Sequence, residues 1–190
     1  DRVLKRVDQV SAEDVFENLM NAYARSYDPH SSYFSPRNSE EYRIQMSLNY
    51  EGIGASLQLI DDYVTVMNVI EGGPAAAAGT LSVNDRITAV GQGKDGSMTD
   101  VIGWRIDDVV QLIRGKGGTL VRLHVLPGGA APGAPEKTLA FTRNKVTLEA
   151  QAAQKSLHTL ERSGRSYRIG VISVPGFYQD IAAQNAGDDD

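Results

Sequence analysis

The apolar positions along the chain change period twice, and each change predicts a different kind of element. Val3, Leu4, Val7 and Val10 recur at helical spacing, after which Ser11-Ala12-Glu13-Asp14 reads as a capping box opening a second helix. Val15, Leu19, Ala22 and Tyr23 continue one stripe as far as Asp28-Pro29, where the residue before proline is pushed out of the α region. Past the loop 28–38, Asn38 or Ser39 is placed to cap a short helix carrying Tyr42 and Met46. The front of the chain therefore reads as helical.

From Ile53 the period drops to two. Ile53, Ala55, Leu57 and Leu59 alternate with Gly54, Ser56 and Gln58, the pattern of a half-buried strand. Asp61-Asp62 then turns the chain into the β-branched run 63–70, which predicts a hairpin. Pro74 and Gly79 bracket one or two turns of alanine helix, and 85–90 reads as a strand. Ile106, Val109, Val110 and Ile113 form the stripe of a helix ended by Gly115, Gly117 and Gly118, with a strand at 120–126 behind it. The stretch 128–135 has no periodicity and predicts a flexible hairpin tip leading into 137–143. After 145–149 comes a polar stretch, and then 168–174 carries apolar residues on both faces. Such a strand belongs inside a larger sheet, so the pattern predicts a second domain of which only the start is present, followed by an unsupported acidic tail.

Composition narrows the function classes. With 190 residues, 41% of them hydrophobic and 23% charged, the chain is globular, and a mean hydropathy of −0.29 supplies no stretch for membrane insertion. Nineteen Lys and Arg against 24 Asp and Glu give a net charge of −5 without a clustered basic face, which argues against nucleic acid. There is no cysteine, hence no disulfide framework and no thiolate nucleophile, and the redox compartment stays open. The first residues, Asp1-Arg2-Val3-Leu4-Lys5-Arg6, are too densely charged to supply the apolar stretch of a signal peptide.

Candidate chemistry centres on Glu51-Gly52-Ile53-Gly54-Ala55. Two glycines one residue apart before an alternating strand let the chain turn with its amides outward, and such a nest binds an anion. If the strand edge is open and the helix from Ile106 packs beside it, an extended peptide adds as a strand with its terminal carboxylate in the nest. The expected peptide-binding residues are Gly52, Ile53, Gly54, Ala55, Leu57, Ile106, Val109, Val110 and Ile113, lining a pocket for apolar terminal side chains. Gly54→Val or Ile106→Asp is expected to abolish binding with the fold intact.

This order of parts resembles a PDZ domain of the bacterial type, with Gly52-Ile53-Gly54-Ala55 in place of the family's Gly-Leu-Gly-Phe loop. Gly72-Gly73-Pro74 through Asn84-Asp85-Arg86-Ile87, the loop 28–38, the segment 101–118 and Gly170 to Tyr178 are similar to the tail-specific proteases, or C-terminal processing peptidases. The resemblance implies an α+β architecture. Residues 1–45 are an N-terminal helical region, 46–148 a PDZ-like, partly open β-barrel or sandwich with two helices, and 149–190 the start of a truncated α/β protease domain. It also implies a periplasmic serine endopeptidase that takes polypeptides by their C termini, with no metal or cofactor, no catalytic residue within these positions, and room for an adaptor protein. The Ser–Lys dyad is expected beyond this chain, which by itself binds and does not cut. Ala55 stands where eukaryotic relatives carry phenylalanine, and Asn84 where glycine is usual. The main alternative is a non-catalytic PDZ scaffold; a chymotrypsin-like PDZ protease is disfavoured by the helical front.

Other signals have plainer readings. Gly91 to Gly96 satisfies G-x-G-x-x-G, but helical pattern resumes only about ten residues later, so a surface loop is expected rather than a dinucleotide site. His30, His124 and His158 lack the spacing of a zinc helix, Asp107-Asp108 read as the opening turn of a helix, and Lys155-Ser156 are merely sequence neighbours.

Overall fold

The computed structural model describes residues 10–131, 134–148, 151–180 and 184–185. The first expected helix, apart from Val10, and the acidic tail lie outside them. The chain divides into two compact units, one formed by residues 49–147 and the other by 1–48 together with 148–190.

In the flanking unit, helix α1 (Ala12–Tyr27) starts at the expected capping box. The Asp14 amide donates to Ser11 Oγ at 3.1 Å, and the Ser11 amide donates to the Asp14 carboxylate at 2.9 Å. Helix α2 (Pro36–Ser47) begins earlier than the pattern of Tyr42 and Met46 suggested, with Ser35 as its cap and Pro36 in its first turn. Proline's fixed φ and missing N–H suit that position, so Ser35-Pro36 overrides Asn38 and Ser39 as the start signal. Asn38 instead donates its side-chain amide to the Glu17 carboxylate at 2.8 Å, tying α2 to α1.

The same unit holds a hairpin of β9 (Gln154–Arg162) and β10 (Arg165–Ser173), turned on Ser163-Gly164 with φ of 53° and 72°. Strand β9 was hidden in what reads as a polar stretch. The expectation that 168–174 is buried on both faces is overturned, because every residue of both strands is exposed. A two-stranded ribbon has no second layer of its own to cover either face.

The central unit comprises β1 (Asn49–Gly52), β2 (Ala55–Ile60), β3 (Tyr63–Val69), α3 (Pro74–Ala78), β4 (Arg86–Gln92), β5 (Met98–Asp100), α4 (Ile106–Ile113), β6 (Leu120–Leu126), β7 (Lys137–Thr142) and β8 (Asn144–Thr147). Its main sheet runs β2-β3-β4-β6-β7, with β5 paired to β4, while β1 and β8 form a separate antiparallel ladder. All pairings are antiparallel. Along β6, Val121, Leu123 and Val125 are buried and alternate with half-buried neighbours, the period expected of a strand with one face on a core. They meet Val64, Val66, Ile87 and Val109, all fully buried. The short strands β1 and β5 carry too little alternation to be seen in sequence; pairing with β8 and β4 creates them.

Loop chemistry explains the connections. Asp61 and Asp62 take φ of 48° and 66°, the double positive φ that a tight two-residue hairpin turn demands. Asn84 has φ 70°, which accounts for asparagine where glycine is usual, since its short side chain tolerates the left-handed region. Next to it, buried Asp85 accepts from the Ser82 amide at 2.9 Å and the Gly128 amide at 3.1 Å. Arg86 donates to the Ala130 carbonyl at 3.0 Å, so the root of the 128–135 connection is pinned rather than loose throughout.

Candidate peptide groove

Strand β2 is the edge of the main sheet and pairs only with β3 among the described residues. In an antiparallel ladder, alternate residues turn both backbone polar groups away from the partner strand. The Ile70 amide donates to the Gly54 carbonyl at 2.9 Å, which makes Ala55 and Val69 a non-bonded pair and points the Ala55 N–H outward. At the other end, Ile60 and Tyr63 close the two-residue turn as a bonded pair, so Leu59 and Leu57 also face outward. A bulge after Ser56, with Met67 as the extra residue, keeps Ala55, Leu57 and Leu59 on one phase. The edge therefore offers free donors and acceptors at three alternate residues.

The glycine turn is held from behind. The Ile53 carbonyl accepts from the Ala75 amide at the start of α3, at 2.8 Å. Gly54 has φ 78°, and a Cβ there would lie 3.0 Å from the Gly73 Cα. That corrects one expectation: Gly54→Val strains the backbone and cannot leave the fold intact. Gly52 is limited by space alone, since its Cβ would lie 2.9 Å from the Tyr50 ring.

Helix α4 supplies the facing wall, packing against both β2 and β4. Ile106 and Val110 are half-buried and remain available to a ligand, as are Ala55 and Leu57. Val109 and Ile113 turn into the core, where they are 0% and 3% exposed, and Ile53 joins them at 2%. The nine expected residues thus converge on one region but divide by role. Ala55, Leu57, Ile106 and Val110 present surface; Ile53, Val109 and Ile113 form the packed floor; Gly52 and Gly54 shape the turn. Asp107 and Asp108 occupy the first turn of α4 and are exposed, favourable placement for acids near a helix start.

Two further residues matter that the sequence did not announce. Arg143, 3% exposed, donates to the Ile113 and Leu112 carbonyls at 2.8 and 2.9 Å, to Thr119 Oγ1 at 2.9 Å and to Gln92 Oε1 at 2.6 Å. It caps the orphan carbonyls at the end of α4 and so fixes the wall of the groove. Tyr50 lies with its ring over Gly52, and the Arg114 guanidinium stacks 5.1 Å from the ring centroid. Burial pushes the Tyr50 phenol above the usual tyrosine range, opposed by the Arg114 charge and by the nearby Ala55 backbone. An isolated Arg and an isolated Tyr carry no pattern, so only the folded chain shows these roles.

The plainer motifs resolve simply. At Gly91 to Gly96 the chain leaves β4, and Arg122 fills the turn by donating to the carbonyls of Gly93, at 2.9 Å, and Gly96. The loop leads into β5, not into a helix. Lys155 and Ser156 are successive on β9 and project to opposite faces of the ribbon.

Comparison with known proteins agrees with this geometry. A family model described as PDZ domain matches residues 41–126, and one described as Tail specific protease N-terminal domain matches residues 1–37. The tail-specific protease of Haemophilus influenzae is 39% identical over 175 residues, 92% of this chain and 24% of that protein. The carboxy-terminal processing protease CtpA of Bacillus subtilis is 28% identical over 157 residues, 83% of this chain and 29% of that protein. The chain thus spans about a quarter of the length of these relatives. Among solved structures, the PDZ domain of the carboxy-terminal protease from Vibrio cholerae, in complex with a peptide, is 46% identical, with a TM-score of 0.50. It covers 53% of this chain and is itself covered completely. The photosystem II D1 C-terminal processing protease shares the fold at 24% identity and a TM-score of 0.50, over 84% of this chain and 40% of its own. With its PDZ domain and its matching N-terminal domain, the chain belongs to the tail-specific protease family.

Proposed function

We propose that this chain is the substrate-recognition part of a periplasmic tail-specific serine protease. The central unit binds the apolar C-terminal end of a polypeptide along β2, and a serine–lysine dyad carried elsewhere in the parent protein hydrolyses the tethered substrate. The observation that carries this reading is the open β2 edge, with the outward backbone groups of Ala55, Leu57 and Leu59 running beside Ile106 and Val110. The peptide held by the PDZ domain from Vibrio cholerae supports it. Burial of one terminal aliphatic side chain contributes roughly 1.5–3 kcal/mol, and strand pairing provides the rest. Ordering a flexible peptide offsets much of that gain, so affinity is expected near the micromolar range, about 8 kcal/mol.

Calorimetric titration with a short peptide ending in an aliphatic residue and a free carboxylate tests the proposal. Amidating the peptide terminus, or introducing Ile106→Asp at the half-buried wall, is expected to weaken binding at least tenfold, about 1.4 kcal/mol. Binding unaffected by both changes rules the groove out. On this reading the chain alone cuts nothing.

A further inference from the structure

The loop between β5 and α4 is pinned at the far end of the groove, opposite the glycine turn. The Gly103 amide donates to the Asp62 carbonyl at 2.8 Å, which ties the loop to the β2–β3 turn just before α4 begins at Ile106. The rest of its backbone is also committed. The Val101 amide donates to the Thr88 carbonyl at 2.9 Å, the Ile102 amide to the Asp100 carboxylate at 2.9 Å, and the Trp104 amide to the Val101 carbonyl at 3.2 Å. Yet Ile102 and Trp104 keep 41% and 40% of their surface in water. Trp104 is the single tryptophan of the chain, and its indole N–H has no hydrogen-bond partner among the described residues. A held loop thus presents a large, stiff aromatic side chain with a spare donor, the kind of group that anchors a bound chain.

Resting on the proposed groove, we infer that Trp104 and Ile102 form a second subsite, which takes an apolar side chain of the same polypeptide about five to seven residues before its C terminus. The occupant follows from continuity with β2. The outward backbone groups of that strand extend to Leu59, so a peptide starting at the glycine turn is held as a strand over about five residues. Its next residues leave the groove where the 101–105 loop meets the β2–β3 turn. Asp61, Asp62 and Asp107 are exposed around that exit, which disfavours an acidic residue there. The central unit thereby reads a stretch of its substrate as well as the end, and separates two chains that share their terminal residues by what precedes them.

Calorimetric titration of the chain tests this with two peptides of about eight residues that share one aliphatic, carboxylate-bearing end, one carrying leucine and the other serine at about the fifth to seventh positions from that end. The leucine peptide is expected to bind about five- to tenfold more tightly, and to move Trp104 emission further to shorter wavelength as the indole leaves water. Trp104→Ala is expected to erase the preference for leucine. A thermal melt checks that this variant is folded; should it not be, Ile102→Ser replaces it, with the expectation that the preference shrinks. Equal affinity of the parent chain for both peptides, or an undiminished preference in the folded variant, overturns the inference and leaves the groove standing. If neither peptide binds the parent chain, the groove falls, and this subsite with it.

Discussion

The strands of the central unit and the hairpin 154–173 are built from similar residues and meet opposite fates. Strand β6 alternates Val121, Leu123 and Val125 with polar neighbours and buries all three to 1% exposure or less. Strand β10 places Tyr167, Ile169 and Val171 on the same alternate phase, yet they remain 42–47% exposed. Local pattern is equal in the two; what differs is the number of layers. β6 lies inside a sheet with α4 on one face, whereas β10 has one neighbouring strand and nothing over it within the ribbon. Alternation thus states which face of a strand is ready to be buried, and only a second layer turns that readiness into stability.

Substitutions separate the two regions sharply. Leu123→Ala should cost the central unit about 2–5 kcal/mol, the range for truncating a buried leucine in a close-packed core. Urea unfolding followed through Trp104, the single tryptophan and part of the central unit, reads this directly. A loss below about 1 kcal/mol would mean that the core around β6 is far looser than its burial indicates. Arg143→Ala should come next, at about 2 kcal/mol, since it leaves the Ile113 carbonyl without its buried donor, whereas the Leu112 carbonyl keeps the Gln92 side-chain amide at 2.7 Å. The same variant should weaken peptide binding by loosening α4; an unaltered titration would detach Arg143 from the groove. Smallest of all, Ile169→Ser in the exposed hairpin should shift the Trp104 transition by no more than about 0.5 kcal/mol. A loss comparable to Leu123→Ala would break the contrast and reveal cover over the ribbon.

Much of the fold was readable in advance, for identifiable reasons. The capping box at Ser11, the hairpin at Asp61-Asp62, the Pro74–Gly79 bracket and the α4 stripe are all local devices, complete within a few residues, and each recurs in the structure. Misreadings came where a partner distant in sequence decides the outcome. β1 exists because the distant β8 pairs with it; β9, by contrast, was missed although its partner β10 is next in the chain and Ser163-Gly164 was a turn signal that could have revealed that hairpin. Helix α2 was misplaced for a local reason, the neglected Ser35-Pro36 start.

The sequence by itself determined the glycine turn at 52–55, the strand beside it and the apolar face of α4, because hydrophobic period and turn chemistry act over short spans. Only the tertiary structure decided that β2 is an edge, that Val109 and Ile113 belong to the floor while Ile106 and Val110 face outward, and that Arg143 closes the helix. Each of these depends on which segments pack together, and that choice is made by the shape and burial of the whole unit, beyond the reach of any short-range pattern.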